Sequence, residues 1–368
     1  MNNKICVYAI CKNEINNIER WLNSMSEADY MVVLDTGSTD GTFEKLKEDS
    51  RVFRVEQKII DPWRFDVARN ASMLLIPDDA NILVCTDLDE AFNSGWAEIV
   101  RNNWTEEADR GLYRYSWSFD ALGVPNNIFI YDKIHSRNYY WVYPVHEVLH
   151  PIITPQPEVR FYFENLFLQH YQEKTKERDY LSLLELSVQE NPEDCRSRML
   201  LAREHLILEH YTEALENYLC ALDLDSINEE CNTLELLECL YRTADLYLAA
   251  GDYTQSIVYA LRFLQKDQTY REPWFVLSQV YGKLGLYSLA MSTLDTGLLQ
   301  STRKYNWVEN SANWDYRELD VRSVYNYYMG NVELAIQQVL EALKHAPEDE
   351  RLLTNFNIYK TALEDKNE

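Results

Sequence analysis

At 368 residues, 46% hydrophobic and 13% aromatic, the chain is long enough for two packed cores and too apolar to remain unfolded. Its 35 basic against 60 acidic residues give a formal net charge of −25, which argues against a nucleic-acid footprint and against binding an anionic membrane surface. A polar or cationic partner, or an anionic ligand neutralised by a metal, fits that charge better.

The first half alternates short β-rich runs with helical patterns. KICVYAIC (4–11) reads as a buried strand, followed by an amphipathic helix around Ile15–Met25. YMVVLD (30–35) reads as a second strand ending in the turn TGSTDGT, with a helix to about Asp49. VFRVEQ (52–57) is a third strand, and a helix from Asp66 to Leu75 leads to a fourth, NILVCTDLDE (81–90), which ends in acids. Strands separated by crossover helices imply a mostly parallel, Rossmann-like sheet, whose ligands bind beyond the carboxyl ends of the strands. From about 112 to 171 the aromatic runs LYRYSWSF, NIFIYDKI, NYYWVYPV and VRFYFENLFLQHY suggest antiparallel strands that complete it.

After about 173 the pattern becomes helical and repeats. Trp274, Leu277, Ser278, Tyr281, Gly285, Tyr287, Ala290, Leu294 and Gly297 fit the tetratricopeptide spacing. Ala244, Tyr247, Gly251, Tyr253, Ser256 and Ala260 form the preceding unit, with weaker units around Tyr211/Ala214 and Gly330/Ala335. Longer spacings before the second and after the third unit imply inserted loops. A solenoid of this kind serves either as packing for the first domain or as a concave surface that binds a peptide or glycan. The expected division is therefore 1–172 for the α/β domain and 173–368 for the repeats.

No stretch approaches the roughly 18 apolar residues of a membrane span. The opening MNNKICVYAICKNE lacks the charge and apolar length of a secretory signal. Seven cysteines without a CxxC pair suggest free thiols in a reducing compartment, so the expectation is a cytoplasmic protein.

Two short patterns carry chemistry. Asp87 and Asp89 in TDLDE lie at a strand end, where both carboxylates can converge on Mn²⁺ or Mg²⁺; a solvated acidic turn is the bland alternative. HEVLH (146–150) matches the spacing of a zinc protease, which needs His146 and His150 on one helix face with Glu147 between them. The preceding NYYWVY is β-forming, and Pro151 pushes His150 away from helical geometry, so that reading is rejected.

AICKNE (9–14), VVLDTGSTDGT (32–42), DPWRFDVARN (61–70), CTDLDE (85–90), PVHE (144–147) and LQHY (168–171) together resemble the family 2 nucleotide-sugar glycosyltransferases of GT-A fold, most closely those with C-terminal tetratricopeptide repeats, such as peptide S-glycosyltransferases of the glycocin-modifying kind. The resemblance implies a UDP-sugar donor bound by Ala9, Cys11, Asn13, Glu14, Asp35, Gly37, Arg69, Asp87 and Leu88. It implies a Mn²⁺ or Mg²⁺ ion held by Asp89 and His170, with Asp87 beside it. Glu147 becomes the general base, with Glu90 as the second choice, and His146 a contact to phosphate or acceptor. Asp40 is assigned to capping the helix that follows it.

The expected function is metal-dependent, inverting transfer of a hexose or N-acetylhexosamine to a peptide, protein or glycan. The alternative is a catalytically silent scaffold whose repeats bind a protein. The abundant tyrosines suit either a dimer contact or an acceptor groove.

Overall fold

The computed structural model describes residues 3–119, 125–153, 157–171, 180–228, 231–304, 306 and 308–367, and the chain divides into two compact units, 1–190 and 191–368. The sequence places this boundary at 172/173. In the structure helix α5 (Leu181–Glu190) counts with the first unit, where Arg64 bonds Glu190.

The first unit is built on an eight-stranded mixed sheet. Strands β1 (Ile5–Cys11), β2 (Tyr30–Asp35), β3 (Arg54–Gln57) and β4 (Ile82–Cys85) are parallel, in the order β3-β2-β1-β4. β5 (Glu90–Phe92), β6 (Arg110–Phe119), β7 (Pro125–His135) and β10 (Arg160–His170) extend it as β7-β6-β10-β5. β8 (Tyr139–Val142) and β9 (Val148–Pro151) form a separate two-stranded ribbon. β1 reads as an unbroken apolar run because it is covered on both faces. Ile5, Val7, Ala9 and Cys11 pack into one core with Trp21, Leu22 and Met25 of α1 (Ile18–Met25). Cys6, Tyr8 and Ile10 pack into the other with Ala68 of α3 (Phe65–Met73). Between them in sequence lies α2 (Thr42–Glu48).

Four sequence expectations change here. The run 81–90 is not one strand: it stops at Cys85, turns through residues 86–89 and restarts as β5. β10 pairs parallel to β6, not antiparallel, because it returns along the far side of the sheet to meet β5. Helix α4 (Trp96–Asn103) has no counterpart among the sequence-based elements; Gly95, at φ +82°, precedes it. Cys195 and Cys231 form a disulfide, whereas the sequence suggests free thiols throughout.

The second unit stacks helices in pairs: α6 (Cys195–Ile207) with α7 (Tyr211–Asn228), α8 (Thr233–Ala250) with α9 (Tyr253–Lys266), α10 (Glu272–Lys283) with α11 (Tyr287–Leu298), and α12 (Arg317–Tyr328) with α13 (Val332–His345), followed by α14 (Glu350–Asn367). Each first helix ends the same way. The N–H groups of His210, Asp252, Leu286 and Asn331 donate to the carbonyls of His205, Tyr247, Tyr281 and Asn326, which is the Schellman closure of a helix. Small residues let the paired helices touch. Ser256 donates its hydroxyl to the Ala244 carbonyl, and one repeat later Ser278 donates to the Ala290 carbonyl, the serine and alanine having exchanged places at the same crossing. Among the described residues no helix is long and apolar enough to cross a membrane.

Candidate functional site

The carboxyl ends of β1, β2 and β4 meet where the strand order reverses, the usual crevice for ligands in such sheets. At its centre stands Arg69, on α3 and almost fully buried. Its Nε donates to Glu147 Oε1 at 2.8 Å, Nη2 lies 2.9 Å from Asp87 Oδ1, and Nη1 meets Cys85 Sγ at 3.2 Å. The guanidinium also lies 5.5 Å from the Trp141 ring centre. Lys133, buried in β7, adds a second cation 3.9 Å from Asp87 Oδ2. Burial opposes the charge on Asp87, but Arg69 and Lys133 outweigh it and hold the carboxyl down at about 2.

On the other side of this turn, His170 Nε2 lies 3.1 Å from Asp89 Oδ2, while its Nδ1 faces the Trp117 carbonyl at 3.2 Å. Burial disfavours the imidazolium, yet Asp89, Glu90 and the Trp117 carbonyl outweigh burial and raise its pKa. Glu90 is buried beneath the turn, and its Oε2 accepts the Asp87 N–H at 2.9 Å. Burial first, then the neighbouring Asp87, pushes it up to about 7.

The pair Asp89–His170 offers a carboxylate and an imidazole, donors suited to Mn²⁺ and acceptable to Mg²⁺. Asp87 is instead committed to Arg69 and Lys133. Among the described residues no three acidic, histidine or cysteine side chains gather closely enough to hold a metal. The fit is thus a two-residue anchor whose remaining positions a bound ligand and water would fill.

The other sequence-selected residues occupy more local roles. Asp35 is fully buried and its Oδ1 accepts from the N–H groups of Gly37 and Ser38 and from Gln57 Nε2, at 2.8–2.9 Å. Burial opposes its charge, but these donors hold its pKa below the usual carboxylate value. Cys11 gives its carbonyl to Thr36 and its thiol to Asp35. Asn13, at φ +58°, ties the β1 turn to the β2 turn through Ser38 and Thr39. Glu14 bonds Thr42 and Asn17. Asp40 accepts from Thr42 and the Ile15 N–H. Gly37 sits at φ +112°, a turn that an L side chain resists. Ala9 and Leu88 point their side chains into the core, leaving only main chain for a ligand.

His146 is exposed at φ +50°, its ring 5.5 Å from Tyr180. His150 lies on β9 in extended backbone, so His146 and His150 share no helix face. Tyr143 and His146, both at positive φ, bracket a tight loop whose Pro144 carbonyl accepts the Phe65 N–H. Sequence reasoning missed Lys133. Its signal is its place in IYDKIH, where Tyr131, Lys133 and His135 alternate onto one face of the strand.

No family model matches the chain, and no curated protein matches it. Solved structures align with about half of it. A thermophilic TPR protein from Thermus thermophilus, TTC0263, is 21% identical over 49% of this chain and 89% of its own, with a TM-score of 0.36. YrrB, described as a TPR protein with an unusual peptide-binding site, is 17% identical over 50% and 85%, with a TM-score of 0.37. A tetratricopeptide repeat protein from Parabacteroides merdae is 17% identical over 50% and 65%, with a TM-score of 0.39.

Membership of the family 2 glycosyltransferases is therefore corrected. The matching structures are repeat proteins, and nothing matched supports that family for the sheet. The physical reason lies in the motifs themselves. Asp35, Gly37, Ser38 and Asp40 satisfy one another and the adjoining main chain, so turn chemistry at strand ends accounts for much of what looked like a family signature. What stands is a mixed-sheet unit followed by helical repeats.

Proposed function

We propose that the chain is a binding protein whose helical repeats hold a segment of polypeptide. One observation carries this reading: the repeats already grip a stretch of irregular chain. The segment Val308–Trp314 lies on α8 and α10, where the Asn310 N–H donates to Glu272 Oε1 at 2.8 Å and Asn310 Nδ2 to the Tyr241 hydroxyl at 3.0 Å. Charged groups also lie between the neighbouring first helices, where half-buried Arg203 of α6 bonds buried Glu238 of α8. Panning random displayed peptides against the full chain tests the reading. Ligands should emerge whose binding weakens in Tyr241→Phe, which removes the hydroxyl that holds Asn310 and keeps the ring; failure to select any ligand would refute it.

A second reading is favoured by the convergence of Arg69, Asp87, Glu147, Asp89 and His170 at the strand ends. In it the sheet unit transfers a hexose or N-acetylhexosamine from a UDP-sugar to a peptide or glycan. Asp89 and His170 would hold Mn²⁺ or Mg²⁺, which would supply charge to neutralise the diphosphate. Arg69 and Lys133 would add fixed positive charge. Glu147 would take the proton of the attacking acceptor, once the donor draws Arg69 toward its phosphates. Donor hydrolysis or transfer, measured with UDP-sugars and Mn²⁺, separates the two readings.

A further inference from the structure

The repeat period identifies an anomaly in the second unit. Gly251 and Gly285 end successive first helices 34 residues apart, whereas Gly285 and Gly330 are 45 apart. The additional chain lies between α11 and α12, and it does not simply loop outward. Val308 is fully buried, and residues Ser311–Trp314 form one 3-10 turn whose Ala312 N–H is capped by the Asn310 side chain at 3.0 Å. Arg271 donates to the Asn313 carbonyl at 2.9 Å and lies 3.7 Å from the centre of the Trp314 ring. Asn313 Nδ2 reaches Glu272 Oε1 at 3.4 Å.

Comparison of equivalent positions shows what this segment replaces. Glu238 and Glu272 are repeat partners, 34 residues apart, and both are buried acids in the first half of a first helix. Glu238 is satisfied by the guanidinium of Arg203, from the neighbouring α6. Glu272 has the Asn310 main-chain N–H and the Asn313 amide instead. A carboxylate thus accepts the segment's main-chain N–H and a hydroxyl accepts the same residue's side-chain amide; in peptide recognition main-chain bonds of this kind supply affinity and side-chain contacts specificity.

We propose that the face formed by Tyr241, Arg271 and Glu272 is a docking site for a peptide of the pattern aliphatic-x-Asn-x-x-Asn-aromatic, and that Val308–Trp314 is its resident occupant. An external partner bearing that pattern binds by displacing the segment. This deepens the peptide-binding reading and rests on it. Because a tethered competitor acts at an effective concentration of roughly millimolar, the native chain binds such a partner weakly until the segment is released.

The test uses a fluorescein-labelled peptide Val-Glu-Asn-Ser-Ala-Asn-Trp and the full chain. Anisotropy titrations compare the native protein with Asn310→Ala/Trp314→Ala, which loosens the resident segment and leaves the receiving face intact. The variant should bind the peptide at least about tenfold more tightly than the native chain. Adding Tyr241→Phe should weaken that binding about fivefold, the worth of one hydrogen bond. Equal affinity in native and loosened chains, or no binding to a loosened chain with a cooperative melt, overturns the proposal. If the loosened chain does not fold, hydrogen exchange at the Asn310 amide of the native protein replaces the titration: saturating peptide should speed it at least about tenfold, and an unchanged rate overturns the proposal. Panned ligands that bind elsewhere on the repeats while this peptide fails would sink this inference and spare the broader reading.

Discussion

His170 Nε2 lies 3.1 Å from Asp89 Oδ2, across 81 positions of sequence. The contact joins the end of β10 to the turn after β4, and the Tyr171 N–H reinforces it by donating to the Asp89 carbonyl at 2.7 Å. A carboxylate and an imidazole held together by independent main-chain bonds are preorganised. Their geometry does not depend on either side chain finding the other. Arg69 performs the matching task on the other side of the same turn, joining Asp87 to Glu147 across the crevice.

If the sheet unit is a transferase, binding and chemistry separate at these two clusters. Asp89→Ala should weaken Mn²⁺-supported UDP binding, read by calorimetry with and without chelator. Glu147→Gln should keep UDP-sugar affinity within about threefold yet lower transfer by roughly 10²–10⁴. Full transfer by the glutamine variant removes Glu147 as base. Identical nucleotide affinity in all conditions removes Asp89 as anchor.

Arg69→Met should be costly whatever the function. It leaves Asp87 and Glu147 without their principal counter-charge, and breaking a buried pair typically costs about 3–5 kcal/mol. Lys133 remains near Asp87, which places the expected loss near about 3 kcal/mol in urea denaturation. Adding Glu147→Gln should recover part of it, since the residues are in direct contact. A loss below about 1 kcal/mol would mean that water enters the site and screens both acids.

Glu90 gives the protein a pH signature. Its folded pKa is raised to about 7 from an ordinary 4.5, so the folded state holds a proton that the unfolded state releases. The resulting stability is fully present below about 4.5 and is lost as pH rises through 7. Glu90→Gln retains an oxygen for the Asp87 N–H and cannot ionise. Urea midpoints measured from about pH 4.5 to 7.5 should therefore fall less steeply in the variant than in the native chain. Parallel slopes would show that Glu90 is already charged when folded.

Much of this architecture is legible in sequence because its causes are local. The parallel strands announce themselves through apolar runs, and the turns through Asp and Gly at fixed offsets. The helix pairs show in glycines and small residues at 34-residue intervals. What escaped depends on distant chain. Lys133 acquires its role only when β7 pairs with β4, and β10 becomes parallel to β6 only through the sheet's closing order. Cys195 finds Cys231 through the packing of the first helix pairs, which thiol counting does not reveal. The longer spacing before α12 is readable; that its residues settle on Tyr241 and Glu272 is not. The turn motifs misled for the converse reason, since local hydrogen bonding alone explains most of their residues.

The repeat comparison yields one stabilising substitution. The residue that closes each first helix is Gly251, Gly285 and Gly330 in three pairs, all at positive φ, but Glu209 at φ +61° in the first. The closure itself is unchanged there, with His210 N–H on the His205 carbonyl at 2.8 Å. An L side chain in this conformation costs about 1–2 kcal/mol, and the greater freedom of glycine in the unfolded state offsets roughly half of the gain from removing it. Glu209→Gly should thus raise stability by about 1 kcal/mol in denaturant titration, while the same exchange made in reverse at Gly285, Gly285→Glu, lowers it by a similar amount. Nothing lies within 4 Å of a Cβ added at Gly285, so that loss would report backbone conformation and not a clash at Cβ. Destabilisation by Glu209→Gly would show that the first pair closes by a different geometry from the other three.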